Sequence, residues 1–372
     1  MPHDVIELTQ NLVKMESVSK DSNAPISDYL QSILEELGCT IERLEYTDPN
    51  GELKVNVIGR LGEGKGGLAF CSHSDTVPGQ EVDWDAFDPV IKDGRLYGRG
   101  SCDMKGPLAA TIAAASKIDP AKLKKPIYIV VTADEEIGLI GAKFVSEKSE
   151  MLREDQPKYG VIAEPTKMIP VYAHKGGAGA VVTSHGVAAH SSTDKGVSAN
   201  FQLARFMAEM ADLKEIAMSE ERFMNHEFNP PTNGFNMTMT DFNTAGNVTA
   251  PKAQCRVGFR AMPNSNAEEM LEMIVERAEK YGLEYSTRIF SPLYVSKDSD
   301  LVKTAVKALD GREPETVSYG TDGMYLKNVI PEMVVLGPGD IGVAHTVGES
   351  VPLDELTQAV DVYVQMIEEL CM

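Results

Sequence analysis

The chain contains no CxxC pair, no Lys/Arg-rich run and no apolar stretch approaching 18 residues, and each absence removes a class. The five cysteines (Cys39, Cys71, Cys102, Cys255 and Cys371) are odd in number and scattered, which argues against a disulfide framework and against a zinc knuckle. Cations are the scarcer charge. The 35 Lys+Arg stand against 56 Asp+Glu, a formal net charge of −21, so the positive footprint of a non-specific nucleic-acid binder is missing. Attraction to an anionic membrane surface is disfavoured for the same reason. With no long apolar run, no transmembrane helix is expected. The opening MPHDVIELTQ has neither a basic n-region nor an apolar h-region, so no secretory signal is expected and the cytoplasm is the default compartment. The cluster GEGKGG (62–67) misses the GxxxxGK[ST] spacing and precedes a strand, which speaks against a phosphate loop.

What is present is the composition of an ordinary globular protein: 372 residues, 42% hydrophobic and 24% charged. That length is ample for a large core without staples and suggests two to three domains. Residues 4–18 and 26–38 have helical spacing, and buried-strand runs follow at 67–75, 126–134 and 158–164, with helices at about 104–118 and 140–148 between them. Apolar strands alternating with helices predict an α/β fold with a mostly parallel sheet covered by helices. After residue 173 the texture changes. Half-exposed strand patterns at 178–187, 235–246 and 252–262 and amphipathic helices at 200–216 and 266–282 form a β-α-β-β-α unit, and the α/β texture returns from residue 298. The chain therefore reads as one discontinuous domain, 1–173 and 285–372, interrupted by a smaller α+β domain, 174–284.

Acids and histidines collect where the predicted strands end. His73 and Asp75 close GLAFCSHSD, Glu135 and Glu136 follow PIYIVVTAD, and Glu164 ends KYGVIAE. Asp103 lies at a loop-to-helix junction in GRGSCDMKG, and His345 in GPGDIGVAHT. Taken singly, each has a plain explanation: HxD arises by chance, an Asp in a Gly-rich loop is ordinarily a turn residue, and paired Glu can open a solvated helix. An acid at the exit of a buried strand is costly unless solvated, paired or metal-bound, and here the pattern recurs at three strand ends. Open α/β sheets carry their sites at the carboxyl ends of strands, so these residues can converge although they span the chain.

HSDTVPG, YGRGSCDMKG, TADEEIG, AEPT and the late AHT, in this order and at this spacing, resemble the metal-binding motifs of the acetylornithine deacetylase / succinyl-diaminopimelate desuccinylase family, di-zinc amidohydrolases related to aminoacylase-1 and glutamate carboxypeptidase. The resemblance covers nearly the whole chain and implies that the inserted domain is a lid that dimerises. It implies two divalent metal ions, zinc first with cobalt or manganese as alternatives, held by His73 and Glu164 and by Glu136 and His345, with Asp103 between them. Such oxygen and nitrogen donors suit zinc. Asp75 would orient His73, and Glu135 would be the general base acting on a metal-bridging hydroxide. In the lid, His190 corresponds to the residue that polarises the scissile carbonyl. Asn247 corresponds to a substrate contact, Arg260 is a candidate carboxylate clamp, and Gly320 and Thr321 lie in the loop that lines the substrate pocket. His174 and Lys175 mark the chain's entry into the lid.

Glu164 in an E-P-T setting and the AHKGG entry resemble the deacetylase branch, and Met324 and Tyr325 stand where an Arg would favour a desuccinylase. The expected function is hydrolysis of the amide bond of a small N-acyl amino acid, N-acetylornithine foremost. Succinyl-diaminopimelate desuccinylase, di- or tripeptidase and carboxypeptidase activities of the same family are the alternatives. A non-catalytic scaffold on this fold would be expected to have lost ligands or the base, and none is missing.

Overall fold

A computed structural model of the chain describes residues 2–79 and 84–372, which divide into two compact units. The larger comprises the chain up to Ala173, Tyr294–Glu315 and Thr321–Met372, and the smaller comprises His174–Leu293 and Thr316–Gly320.

In the larger unit the strands Thr40–Thr47, Leu53–Leu61, Ile127–Thr132, Leu68–His73, Tyr159–Ile162 and Glu332–Val335 lie side by side in that order. The last four are mutually parallel, and the first two join antiparallel at one side. Every residue of Leu68–His73, Ile127–Thr132 and Tyr159–Ile162 is buried, as expected of parallel strands covered on both faces. That explains why they read as unbroken apolar runs. Their register decides where the chemistry can sit. His73 lies opposite Thr132, while Cys71 and Val335 both lie opposite Ile162. The carboxyl ends of four neighbouring strands thus emerge along one edge of the sheet.

The helix Lys105–Ser116 is buried from Lys105 through Ala115 and packs against the helices Val5–Lys14 and Leu353–Cys371. Its alanines suit that position, because small side chains let neighbours approach closely and a helix buried all round needs apolar residues on every face. No helix among the described residues is long and apolar enough to cross a membrane.

The smaller unit is a four-stranded antiparallel sheet in the order Asn236–Thr240, Lys252–Phe259, Gly177–His185, Glu284–Phe290. The helices Ala199–Ser219 and Ala267–Lys280 pack on it around Val182, Leu203, Phe206, Met210, Cys255, Val257, Met270 and Ile274. Lys252–Phe259 alternates buried and less buried residues along its length, the period-2 signature of a sheet with one face covered. The expected boundary after residue 284 falls inside a strand: Glu284–Phe290 pairs with Gly177–His185, so the division comes at Leu293. That edge strand is exposed at every position except half-buried Phe290, so no burial pattern marked it in the sequence.

Candidate metal centre

The larger unit's strand ends and two of its loops bring together six of the expected residues. His73 is the last residue of its strand, Glu135 and Glu136 follow Ile127–Thr132, and Glu164 lies two residues beyond Ile162. Asp103 sits just ahead of the buried helix Lys105–Ser116, in a loop that its glycines permit. Gly100 has φ +80°, and a Cβ on Gly106 would come within 2.3 Å of the Ser101 carbonyl oxygen. His345 follows the short 3₁₀ turn Ile341–Val343 in the left-handed region, φ 61°, as does Asp134, φ 53°, immediately before Glu135. Non-glycine residues held there carry strain that the surrounding structure must maintain.

Asp103 divides its carboxylate between two histidines. Oδ1 lies 3.1 Å from Nε2 of His73, and Oδ2 lies 3.2 Å from Nε2 of His345. Glu164 Oε1 is 3.5 Å from the first histidine and Glu136 Oε1 is 3.0 Å from the second. Donor atoms of His73, Asp103 and Glu164 lie within 4.8 Å of one another, and so do those of Asp103, Glu136 and His345. The two triads share Asp103. His73, Asp103 and Glu164 are buried, whereas His345 is exposed.

The charges of this cluster are poorly balanced by the chain alone. Burial, then the nearby Asp103 charge, pushes the Glu164 carboxyl up to about 8, against a partial offset from His73. Glu135 is raised well above the usual carboxyl range, first by burial and then by Glu164, Asp322 and Asp103. The Asp103 and Glu136 contacts lift His345 to about 10. Burial would raise Asp103, but the two histidines hold it well below the usual range. Three carboxylates and two imidazoles, converging at hydrogen-bond distances in a largely dry site, are a donor set that divalent cations would satisfy. The group fits two ions: three negative charges against four positive ones leave +1, within reach of a single anionic oxygen.

Asp75 is buried and does more than accompany His73. Its carboxylate accepts from Ser19 Oγ at 2.7 Å, from the Glu135 N–H at 3.2 Å and from the Glu136 N–H at 3.4 Å. The closer partner of His73 Nδ1 is the Asp75 main-chain carbonyl, at 3.0 Å, with the carboxylate Oδ1 at 3.6 Å. The Asp75 side chain thus lies against both the His73 imidazole and the Glu135–Glu136 peptides.

The other expected residues are divided between the units. Thr321 belongs to the larger, and His190, Asn247, Arg260 and Gly320 to the smaller. There His190 is bridge-paired with Val248, and the Ser191 N–H donates to the Asn247 carbonyl at 2.8 Å, so His190 and Asn247 are neighbours. Arg260 is exposed and leaves the opposite end of Lys252–Phe259, roughly 25 Å along the strand. Lys175 is buried, its Nζ donating to the carbonyls of Pro230 and Thr232. Cys71 and Cys102 are buried free thiols.

Two buried acids close to the cluster escaped the sequence reading. Asp322 accepts from Thr132 Oγ1 at 2.5 Å, at the end of the strand that leads to Glu135. Glu349 takes the Asp103 N–H at 3.0 Å. Asp322 stood in the same SYGTDGM loop as Gly320 and Thr321, and an acid there was the available signal. Glu349 sits among residues of no recognisable pattern.

Comparison with known proteins agrees with this architecture. Residues 69–369 match the model of peptidase family M20/M25/M40. The acetylornithine deacetylase of Myxococcus xanthus is 35% identical over 372 residues, covering 97% of this chain and 96% of that protein. That of Photorhabdus laumondii is 30% identical over 383 residues, covering 99% and 97%. Among solved structures, the aminopeptidase PepT of Bacillus cereus superposes with a TM-score of 0.74 at 23% identity, over 98% of this chain and 97% of that one, which supports the fold. With its sheet-edge cluster and a family match over most of its length, the chain belongs to peptidase family M20/M25/M40 and is a metal-dependent hydrolase.

Proposed function

We propose that this protein hydrolyses the amide bond of an N-acyl amino acid, N-acetylornithine in particular, using two divalent cations held by His73, Glu164, Glu136 and His345 with Asp103 shared between them. The observation that carries the reading is the division of the Asp103 carboxylate, one oxygen toward each histidine. The substrate follows from the full-length similarity to two acetylornithine deacetylases. Imidazole and carboxylate donors favour zinc, with cobalt and manganese tolerated. When bound, the ions supply Lewis acidity and lower the pKa of water.

The chain's own residues do the rest. Glu135 is the general base. Its raised proton affinity suits it to take a proton from the attacking water and return it to the leaving amine. Asp75 accepts the backbone N–H groups of both Glu135 and Glu136 and so holds the backbone that presents the base. In the smaller unit, His190 and Asn247 are read as contacts for the scissile amide, and Arg260 as a clamp for the substrate carboxylate. Thr321 and Gly320 are read as pocket lining. A homodimer formed through the smaller unit completes the reading, supported by apolar side chains that this unit leaves in solvent, among them Val187, Val197 and Phe201.

The test is direct. Protein reconstituted with zinc or cobalt should release acetate from N-acetylornithine. Absence of that turnover, with turnover of di- or tripeptides, would replace the deacetylase by a peptidase of the same family.

A further inference from the structure

We infer that Glu349 is a positioning residue for Asp103, holding the loop that presents the shared carboxylate and tying it to the loop that carries His345. This rests on the reading of Asp103 as a metal ligand.

Glu349 is fully buried. Its Oε1 accepts two backbone N–H groups, from Cys102 at 3.1 Å and from Asp103 at 3.0 Å. Its Oε2 accepts from Arg99 Nη1 at 2.5 Å. The Glu349 main-chain carbonyl takes the Gly98 N–H at 3.0 Å and the Ser101 hydroxyl at 3.4 Å. The loop from Gly98 to Asp103 is thus wrapped around one residue. Immediately beyond, Ser350–Pro352 pairs antiparallel with Arg95–Tyr97, which anchors the loop's start to the same segment.

Two features separate this from a salt bridge that merely fills the core. First, the arrangement is costly. Arg99 is as buried as its partner, its guanidinium 5.3 Å from the Trp84 ring, and its Nε and Nη2 have no hydrogen-bond partner among the described residues. Buried ion pairs of this kind often contribute no more than apolar residues of the same volume, so core stability gives little reason for one. Second, the carboxylate's amide partners are the residues that set Asp103. Charge-assisted bonds to two successive N–H groups fix that peptide's orientation, and losing a contact that supports a ligand typically costs about 10–100-fold in metal affinity. Glu349 also follows His345 by four residues. One enclosed side chain therefore links the two segments whose Asp103 Oδ2 and His345 Nε2 stand 3.2 Å apart.

The experiment compares wild type, Glu349→Ala, Glu349→Gln and Asp103→Ala. Each is stripped of metal and titrated with cobalt(II), following bound metal per chain and the visible absorption of the ion, then assayed for kcat and KM. For Glu349→Ala the expected result is about a 10–100-fold loss of cobalt affinity, an altered absorption spectrum and a similar fall in kcat with KM little changed. Glu349→Gln keeps an oxygen for the two amides and should fall between Ala and wild type. Wild-type affinity and spectrum in folded Glu349→Ala, with only a lower melting temperature, would make Glu349 structural and overturn the inference. If Glu349→Ala does not fold, Glu349→Gln decides: a shifted spectrum and weaker binding support positioning, and wild-type values refute it. The Asp103→Ala arm separates the two readings. Undiminished cobalt binding there removes Asp103 as a ligand and the inference with it. Loss in Asp103→Ala beside wild-type behaviour of both Glu349 variants leaves the ligand assignment standing and removes only Glu349.

Discussion

The carboxylate of Asp75 accepts the backbone N–H of Glu135 at 3.2 Å, so an acid two residues beyond one histidine of the cluster holds the peptide that carries the proposed base. Substituting the base should therefore separate chemistry from metal binding. Glu135→Gln is expected to lower kcat by about 10²–10⁴-fold, the range of a lost general base, while metal per chain stays at the wild-type value. Elemental analysis and steady-state kinetics on one preparation check both halves. Wild-type kcat in this variant would remove Glu135 from the mechanism.

If Asp103 is shared between two ions as proposed, substitutions in the cluster should differ in their effect on metal content. His345→Ala takes a donor from only one triad and should reduce the content toward one ion per chain. Asp103→Ala takes a donor from both and should weaken both positions. Each variant should also lose part of the melting-temperature increment that metal gives the wild type, because an ion that binds only the folded state stabilises it by mass action. Equal metal stoichiometry in all three proteins would show that the cluster is not the metal site.

Of the seven residues of the larger unit singled out on chemical grounds, five were legible because they broke a rule in plain view. His73, Glu135, Glu136 and Glu164 stand at the ends of buried apolar runs, and Asp103 stands among glycines whose positions only a tight loop explains. Local patterns could announce them even though contacts within the cluster span more than 200 residues of chain. Glu349 and Asp322 were not legible, because their significance lies in what they accept: backbone amides of Cys102 and Asp103, and the hydroxyl of Thr132. Sequence pattern carries periodicity and burial but not the partner of an isolated acid. The strand Glu284–Phe290 was missed for a related reason. As an edge strand exposed at every position but its last, it offers no buried face for hydrophobic periodicity to report.

In the smaller unit Val187 and Val197 are bridge-paired, and Phe201 follows within the first turn of Ala199–Ser219, 78% exposed. These exposed apolar side chains are the surface assigned to the proposed homodimer, since exposed apolar patches favour association. Light scattering at micromolar concentration should give twice the chain mass of 40.5 kDa, about 81 kDa. Phe201→Asp should shift the particle to the chain mass without altering metal content. A wild-type protein that runs as a monomer, or a variant that still dimerises, would discard this surface.

Asp322 yields a pH prediction of definite sign. It is buried, one carboxylate oxygen accepts from Thr132 Oγ1, and the other, Oδ1, has no hydrogen-bond partner among the described residues. Burial raises its carboxyl from 3.8 to about 6, partly offset by the Thr132 bond and by His73, with Asp75 adding to the rise. Between those values the folded chain keeps a proton that the unfolded chain has released. Stability contributed by this group is therefore present at low pH and is lost as pH rises through about 6. Asn at 322 is close in shape and cannot ionise. In metal-free protein, the melting temperature of Asp322→Asn minus that of wild type should thus be more positive at about pH 7.5 than at about pH 4.5. Bound cations would favour the charged carboxylate and shrink the difference, so the metal-free comparison is the sensitive one. A difference independent of pH would mean that Asp322 keeps an ordinary carboxylate pKa despite its burial.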